Sequence, residues 1–446
     1  MPLRHGFCAF CVSLFRALIT GCDYSKQDPM PAAPRQFDVI VLGAGAAGLM
    51  CAAVAGQRSR RVALLEHNGQ PGRKILISGG GRCNFTNLHC GPGNFLSTNP
   101  HFAKSALALY QPQHFIELVD RYGIGWHEKT LGQLFCDGSA RAILDMLLAE
   151  CELGGVELFL NARQISVEAT SGEFCVHSSC GELRSASLVV ATGGLSIPPL
   201  GATGLGYDLA RQFGLKVIEP RPALVPLVLG GVEAGWTALA GVATEVEAWA
   251  EAPDGRSPRR VRFREKMLVT HRGLSGPAVL QASLYWCAGD ALVLDLLPEV
   301  GISHPSRKNK DAARVGHPSF LDSLRAPGSR RDGLAFRQAL REALPRRLAD
   351  YLAEIGAPKG WSNLALTACG QRLHRWEFHP VGTEGFEKAE VTAEGVDTAN
   401  LQARTMEARA MPGLFFIGEA VDVIGQLGGF NFQWAWASGV AAGRAV

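Results

Sequence analysis

Residues 37–49, FDVIVLGAGAAGL, decide the fold of this chain. The apolar run 37–42 has the character of a strand buried on both faces of a parallel sheet. The glycine pattern G-x-G-x-x-G of residues 43–48 follows it directly. Residues 45–56, which are small and apolar, predict the next helix, and residues 62–66 predict a second buried strand. A strand, a glycine-rich turn, a helix and a strand in this order make one βαβ unit.

Each glycine of the turn has a separate task in such a unit. The first, Gly43, makes the tight turn, the second lets backbone N–H groups reach a pyrophosphate, and the third lets helix and strand pack closely. Glu66 ends the second strand, where a carboxylate accepts hydrogen bonds from ribose hydroxyls. The alternative is a βαβ turn without a ligand, with Glu66 in solvent. The predicted dinucleotide-binding residues are Gly43, Ala44, Gly45, Ala46, Ala47, Gly48 and Glu66.

A second glycine-rich block occupies residues 72–87. Three consecutive glycines remove side chains from the backbone, so a flat ring or a phosphate can lie against it. Neighbouring Arg, Lys, Ser and Asn side chains supply hydrogen-bond donors. The alternative is a flexible surface loop. The predicted ligand-binding residues of this block are Gly72, Arg73, Lys74, Ser78, Gly79, Gly80, Gly81, Arg82, Cys83, Asn84 and Asn87.

A third block lies near the end of the sequence, where the apolar run 414–418 predicts another buried strand. Glu419 follows it, and an acidic residue at that place can hold a ribityl hydroxyl; a turn cap is the alternative. The helix predicted over 433–444 has a positive N-terminal end, which stabilises negative charge on a reduced flavin ring. The candidate residues are Gly418, Glu419, Gly428, Gly429, Phe430 and Asn431.

The segment between these blocks has a different pattern. Residues 188–192 form one more apolar run like the first, which suggests a single sheet interrupted by an insertion. Residues 242–250 alternate between polar and apolar, as half-exposed antiparallel strands do. Residues 304–333 are polar and basic and predict a mobile connection. Leucines recur every four residues over 340–352, which predicts an amphipathic helix broken at Pro345.

Composition limits the classes of partner. The chain has 446 residues, 47% of them apolar, and a net charge of +3. This balance gives no reason to expect nucleic acid or an anionic membrane as a partner. The 12 cysteines are scattered, and only Cys8 and Cys11 form a C-x-x-C pair, so we expect no metal site. Unpatterned cysteines are typical of a reducing compartment, and we therefore expect a cytoplasmic protein.

The first 36 residues allow two interpretations. Residues 6–20 are apolar and precede Cys22, as in a bacterial lipoprotein signal, although Arg16 interrupts the run. The alternative is an upstream start codon, with Met30 as the working start and a disordered leader. The run is too short to span a bilayer, and no other apolar stretch reaches that length, so we expect no membrane partner.

Together the blocks resemble the BaiN/YhiN-type FAD-dependent oxidoreductases, a family also called aminoacetone oxidase-like. The resemblance extends from about Phe37 to Val446. It rests on six motifs, which are GAGAAGL at 43–49, GRKILISGGGRCNFTN at 72–87, ATGG at 191–194, VTHRGLSGPAVLQ at 269–281, GFEKAEVTAEGV at 385–396 and PGLFFIGEAVDVIGQLGGFNFQWA at 412–435.

The resemblance implies an α/β fold, with a discontinuous Rossmann-like FAD-binding domain interrupted by an insert of β-barrel plus helices. The expected boundaries are a leader at 1–36, the first part of the FAD-binding domain at 37–218, the insert at 219–389 and the second part at 390–446. Carried over by position, Gln164 lies beside the adenine of FAD, where the family usually has valine. The resemblance also adds Ala191, Thr192, Gly193 and Gly194 to the cofactor-binding residues.

By the same resemblance, the chain transfers hydride between FAD and a small organic substrate, with NAD(P)H as a possible transient co-substrate. Cys83 has no C-x-x-C partner, which favours a buried thiol over a disulfide relay. His271 and His379 are weak candidates for a proton donor, so the catalytic residues stay unknown. The alternative function is a non-catalytic or sensing flavoprotein whose insert binds a protein. The sequence leaves the substrate and the oligomeric state open.

Overall fold

The structure is a computed structural model that describes residues 34–170, 172–252, 261–298 and 322–446. It divides into two compact units. The discontinuous unit comprises the described residues up to Pro222 together with Val391–Val446, and the insert unit comprises Ala223–Glu390. The corresponding boundaries expected from the sequence are 218 and 389. The two interpretations of the leader concern residues that lie almost wholly outside the described part of the chain.

The strands, in chain order, are β1 Arg35–Leu42, β2 Val62–Glu66, β3 Asn84–Asn87, β4 Phe95–Leu96, β5 Trp126–Glu128, β6 Gln133–Cys136, β7 Glu157–Leu160, β8 Ser166–Thr170, β9 Glu173–Ser178, β10 Gly181–Val190, β11 Val217–Ala223, β12 Leu227–Val228, β13 Ala243–Glu251, β14 Phe263–Val269, β15 Gly273–Ser275, β16 Ala291–Asp295, β17 Trp376–Phe378, β18 Gly382–Thr383, β19 Val391–Val396, β20 Leu414–Phe416 and β21 Ile424–Gly425. The helices are α1 Ala46–Gln57, α2 Arg73–Gly81, α3 Lys104–Leu109, α4 Pro112–Arg121, α5 Arg141–Leu153, α6 Leu205–Gln212, α7 Pro277–Ser283, α8 Asp322–Arg325, α9 Gly333–Ala343, α10 Arg346–Ile355, α11 Asn363–Leu373 and α12 Phe430–Ala445.

The central sheet of the discontinuous unit has the strand order β7-β2-β1-β10-β9-β8, and β20 pairs with the second half of β10. Strands β7, β2, β1, β10 and β20 are parallel to one another. Strand β9 is antiparallel to β10, and β8 is antiparallel to β9. Residues 39–42 of β1 are fully buried, which explains their continuous apolar character. The predicted α/β fold with one sheet built from distant segments is thus confirmed.

Parallel strands place their carboxyl ends at the same edge of a sheet. Here the last residues of the strands at that edge are Leu42 of β1, Glu66 of β2, Val190 of β10 and Phe416 of β20. Ligands of open α/β sheets bind in the crevice outside the carboxyl ends of the strands. All three blocks singled out in the sequence begin at or just after this edge.

The last helix, α12, packs against the first, α1, through glycines. A Cβ on Gly439 would lie 2.7 Å from the carbonyl oxygen of Ala47, and one on Gly443 would lie 2.7 Å from that of Cys51. The two backbones therefore approach more closely than any larger side chain would allow. This contact joins the C-terminal block of the sequence to the first βαβ unit.

The insert unit holds an antiparallel sheet with the order β17-β16-β13-β14-β15-β12-β18. Buried and charged side chains alternate along β13 as predicted. Val246 and Ala248 are buried. Glu245 forms an ion pair with Arg264 of β14, and Glu247 forms one with Arg262, the residue before β14. The predicted break at Pro345 is also confirmed, because α9 ends at Ala343 and α10 begins at Arg346. Within the described residues, no helix has the length and apolar character needed to cross a membrane.

Candidate functional site

The glycine turn after β1 has the geometry that phosphate binding requires. Gly43 has φ of +102°, and a Cβ on it would lie 2.5 Å from the Ala191 carbonyl oxygen. A Cβ on Gly48 would lie 1.9 Å from the Gly43 carbonyl oxygen. Gly45, the N-cap of α1, differs, because no described atom lies within 4 Å of its Cβ position. Open space in front of a helix N-terminus fits an anionic group.

Glu66 is buried at the end of β2 and is hydrogen-bonded to this turn. Its Oε2 accepts a hydrogen bond from the Ala44 N–H at 3.0 Å. Its Oε1 accepts from the backbone and the side-chain nitrogens of Asn68, both at 2.9 Å. An ionised carboxylate has about four acceptor positions. With one bond at Oε2 among the described residues, that oxygen keeps an acceptor position for a ribose hydroxyl.

The residues that follow Glu66 are held against the segment after β10. Gly72 has φ of +64° and its N–H donates to the Ala44 carbonyl oxygen at 2.9 Å. The Arg73 guanidinium donates to Asn68 Oδ1 at 2.9 Å and to the Pro199 carbonyl oxygen at 3.3 Å. The blocks at 43–48, 66–74 and 191–201 are thus brought together at one end of the sheet.

Lys74 and Glu419 form an ion pair that the sequence did not predict. Lys74 Nζ lies 2.6 Å from Glu419 Oε2 and 2.7 Å from Ser196 Oγ. Glu419 Oε1 accepts from Ser196 Oγ at 2.8 Å and from the Thr392 N–H at 2.9 Å. The expected bond from Glu419 to a ribityl hydroxyl stays a prediction, and it would have to share this carboxylate with three protein donors.

Thr392 and Gly194 complete this network. Thr392 Oγ1 accepts from the N–H groups of Leu195 at 2.8 Å and Ser196 at 3.0 Å. A Cβ on Gly194 would lie 2.4 Å from Thr392 Oγ1 and 2.7 Å from Glu419 Oε1. Gly194 is therefore required by the protein itself. No described atom lies within 4 Å of the Cβ position of Gly193, whose φ is +75°, so this glycine faces open space.

The SGGGRCN loop interrupts α2 at Ser78. Gly79, Gly80 and Gly81 follow with φ of +58°, +67° and +84°. Residues other than glycine rarely adopt these backbone angles. Cys83 is fully buried, and burial raises the pKa of its thiol to about 12. That thiol is inert, as expected. Arg82 is exposed and forms no side-chain hydrogen bond or ion pair with the described part of the chain.

Hydrogen bonds and close backbone packing join strand β3 to the start of α12. Asn87, which is buried, donates to the carbonyl oxygens of Gly428 at 2.9 Å and Leu131 at 3.1 Å. With its amide oxygen turned toward Gly429, Asn84 accepts from that residue's N–H at 3.2 Å. A Cβ on Gly429 would lie 2.4 Å from the Thr86 carbonyl oxygen. These contacts fix where the helix N-terminus points.

Asn431 and Phe430, predicted at the flavin edge, serve the fold. Asn431 Oδ1 accepts from the Gly425 N–H and Nδ2 donates to the Gly425 carbonyl oxygen, both at 2.8 Å. The ring of Phe430 packs edge-on against Phe95. Their side chains therefore position the loop before α12. Contact between flavin and this turn would come from its backbone.

The sequence did not single out several polar residues inside α12 that anchor the site. Gln433 accepts from Thr86 Oγ1 at 2.6 Å, and Ser438 Oγ accepts from the Gly418 N–H at 3.1 Å. The indole N–H of Trp434 donates to the Gly418 carbonyl oxygen at 3.0 Å. Polar atoms on an otherwise apolar, buried helix are the signal that could have identified them.

Two buried hydroxyls near the ATGG segment have no hydrogen-bond partner among the described residues, Thr192 Oγ1 and Tyr207 OH. Burial raises the pKa of Tyr207, so it stays a neutral donor. A Cβ on Gly206 would lie 2.3 Å from Thr192 Oγ1. Unpartnered buried polar atoms are rare in proteins, and a bound polar ligand can satisfy them. With the open space at Gly45 and the free position on Glu66, they fit a dinucleotide such as FAD.

The remaining candidates lie elsewhere. Gln164 is exposed, with φ of +55°, just after Ala162, whose N–H donates to the Glu66 carbonyl oxygen at 3.0 Å. His271 and His379 are exposed residues of the insert unit, and His379 Nδ1 lies 3.5 Å from Glu233 Oε1. Their geometry assigns neither histidine to catalysis.

Comparison with known proteins identifies the family. Residues 37–445 match the family model described as HI0933-like protein Rossmann domain. The chain is 46% identical over 415 residues to a ribosomal RNA dihydrouridine synthase of Escherichia coli, covering 92% of this chain and 98% of the relative. It is 41% identical over 416 residues to a protein of the same name from Haemophilus influenzae, covering 91% and 98%. It is 30% identical over 428 residues to a 3-dehydro-bile acid delta(4,6)-reductase of Clostridium scindens, again covering 91% and 98%.

These relatives correct one expectation. The near-balanced net charge gives no reason to expect nucleic acid, and the family resemblance implies a small organic substrate. The names of the first two relatives contradict the expectation of no nucleic-acid partner. Net charge is an average over the chain, so it conceals a segment of one sign. The alternative of a non-catalytic flavoprotein is also set aside. The chain is a member of the HI0933-like (BaiN/YhiN-type) family and an FAD-dependent oxidoreductase.

Proposed function

We propose that this protein reduces a uridine of ribosomal RNA to dihydrouridine, with FAD as its cofactor and NAD(P)H as the source of electrons. The observation that carries the proposal is the 46% identity to a ribosomal RNA dihydrouridine synthase over 98% of that relative's length. Identity at this level over nearly the whole length of both chains is easier to explain by a common reaction than by a common fold alone.

The bond chemistry in the relatives' names supports a common reaction. Dihydrouridine differs from uridine by two hydrogens on the C5=C6 bond, which is conjugated to the C4 carbonyl. A delta(4,6)-reductase of a 3-dehydro-bile acid also reduces a double bond conjugated to a carbonyl. In uridine, hydride adds to C6, the carbon β to the C4 carbonyl, and a proton adds to C5. A conjugated dienone likewise accepts hydride at a carbon conjugated with its carbonyl. FAD supplies this hydride when bound.

The chain's own groups have defined tasks in such a reaction. The glycine turn and the N-terminus of α1 bind the pyrophosphate, and Glu66 accepts from the ribose. The positive end of α12 stabilises negative charge on the reduced cofactor. Hydride addition also leaves negative charge on the substrate carbonyl oxygen, which a nearby cation stabilises. Arg82 is an exposed cation with no described partner, and we assign it this task.

The charge distribution of the insert unit supports RNA as the substrate. Residues 322–375, here called the helical segment, contain ten Arg or Lys and five Asp or Glu, a net charge of +5. The whole chain carries only +3. Arg330 and Arg346 of this segment have side chains that are 72% and 81% exposed, and each lies beside an aspartate, Asp332 and Asp350. Exposed basic clusters are the electrostatic feature expected of RNA-binding surfaces.

The test is a reaction of the FAD-loaded protein with NADPH or NADH and ribosomal RNA transcribed in vitro, which lacks modifications. Nucleoside mass spectrometry should find dihydrouridine at a defined position. A Gly45→Val protein, which lacks FAD, serves as the control. Absence of dihydrouridine, combined with oxidation of the reduced flavin by small unsaturated ketones, would contradict the RNA proposal while leaving the reductase chemistry intact.

A further inference from the structure

Three potential metal ligands share one face of the antiparallel strands β9 and β10. Cys175 and His177 are two positions apart on β9, so their side chains point to the same face of the sheet. Glu182 lies directly opposite His177 in the register of the two strands. Residues opposite each other in an antiparallel pair place their side chains on the same face. Sequence spacing does not reveal this group, because its members belong to two strands.

Two of the distances between the ligand atoms are close to those around a tetrahedral ion. Cys175 Sγ is 3.4 Å from His177 Nε2 and 3.3 Å from Glu182 Oε1, and the three atoms lie within 4.8 Å of one another. Zinc bonds to S, N and O at a tetrahedral angle separate the ligand atoms by roughly 3.3–3.6 Å.

The surroundings also suit a divalent ion. Glu168 lies opposite Cys175 on the neighbouring strand β8 and adds a carboxylate to the same face. Arg184 Nε donates to Glu182 Oε1 at 2.8 Å and orients the carboxylate, and this Oε1 is the oxygen that lies 3.3 Å from Cys175 Sγ. Such outer contacts tune metal ligands.

The donor set itself favours zinc. Metal ligands must be deprotonated, so a bound divalent ion would hold Cys175 as a thiolate. Thiolate, imidazole and carboxylate together prefer zinc among the common divalent ions.

We propose that Cys175, His177 and Glu182 bind one zinc ion, with Glu168 or a water molecule as the fourth ligand. The ion would join β9 and β10 at the antiparallel side of the central sheet. This site is independent of the proposed RNA reaction, and it departs from the expectation that the protein has no metal site.

Cobalt titration of the full, FAD-loaded protein tests the proposal. After dialysis against a chelator, one equivalent of Co²⁺ should produce a thiolate-to-cobalt band in the near ultraviolet, and zinc should remove it. Cys175→Ser should abolish the band. Cys180→Ser should keep it, because Cys180 lies in the turn of the same strands but outside the site. Glu182→Gln should weaken cobalt binding at least tenfold.

His177→Asn provides a second test that does not alter the buried thiol, and FAD absorbance confirms that each variant is folded. Cys8→Ser addresses the N-terminal C-x-x-C pair. A cobalt band of equal strength in folded Cys175→Ser and His177→Asn proteins would overturn the proposal. Loss of the band in Cys8→Ser alone, or the absence of a band in the parent, would overturn it as well.

Discussion

Lys74 Nζ and Glu419 Oε2 lie 2.6 Å apart, although 345 positions separate the two residues in sequence. Ser196 bonds both of them, and the Thr392 N–H bonds the carboxylate. One ion pair thus holds together the α2 segment, the loop after β10, strand β19 and the end of β20. Each of these segments contributes to the candidate FAD site.

We predict that Lys74→Met and Glu419→Ala each weaken FAD binding about tenfold, because either change releases the loops that the pair holds. The double variant should be hardly worse than either single one, with a coupling energy of about 1 kcal/mol. Fluorescence titration with FAD measures all four proteins. Arg211→Met, which breaks the exposed pair between Arg211 and Asp208, is the matched control and should bind FAD normally. Strict additivity would mean that the pair does not act as a unit.

Substitutions at two glycines of the same turn should affect different properties, cofactor binding at Gly45 and stability at Gly48. Gly45→Val should fold normally but remain colourless, since its side chain enters open space where the pyrophosphate binds. Gly48→Ala should lower the free energy of unfolding by about 3 kcal/mol or more, because its Cβ collides with the Gly43 carbonyl. Circular dichroism melting and FAD absorbance distinguish the two effects. A yellow Gly45→Val protein would place the cofactor elsewhere.

Arg82→Ala should retain FAD but lose most of its activity on RNA, because the guanidinium is exposed and unbonded among the described residues. Arg82→Lys should recover part of the activity, since it restores the charge. FAD content and the rate of dihydrouridine formation, measured on the same samples, test this. Loss of FAD from Arg82→Ala would instead support the original assignment of Arg82 to the cofactor.

Asp422 should make stability depend on pH. It is buried, accepts from the Thr98 N–H and Oγ1, and burial raises its pKa above the usual value. The folded state therefore binds the proton more tightly than the unfolded state. This contribution to stability is present at low pH and is lost as pH rises through the folded-state pKa.

Asp422→Asn, which keeps the acceptor oxygen but cannot ionise, should therefore gain stability relative to the parent as pH rises from about 4 to 7. The measurement is the difference in melting temperature between variant and parent at each pH. A difference that is constant with pH would mean that Asp422 titrates normally.

Local sequence patterns were sufficient for the elements of the site. The run 37–42 and the glycines after it predicted β1, the turn and α1, because parallel strands buried on both faces must be apolar throughout. Glu66 could be placed at the end of β2 for the same reason. These features depend on neighbours in sequence, so sequence alone predicts them.

Contacts between distant segments could not be predicted in this way. Nothing near Glu419 in sequence indicates that Lys74 or Thr392 would occupy its oxygens. The place of Asn431 at the flavin edge stays a prediction, and nothing in the sequence indicates that its amide bonds to Gly425. The net charge of +5 on the helical segment can be counted in the sequence. The net charge of the whole chain, +3, does not reveal it.

The glycine contact between α1 and α12 has a consequence for the order of synthesis. A ribosome makes the phosphate-binding turn first, yet α12, which α1 packs against and which carries the Gly418 anchors, emerges only after about 430 residues. The side of α1 that packs against α12 therefore stays uncovered while the whole insert unit is made. Prematurely terminated chains would expose the apolar face of α1 and hold no cofactor, which makes them targets for chaperones and proteases.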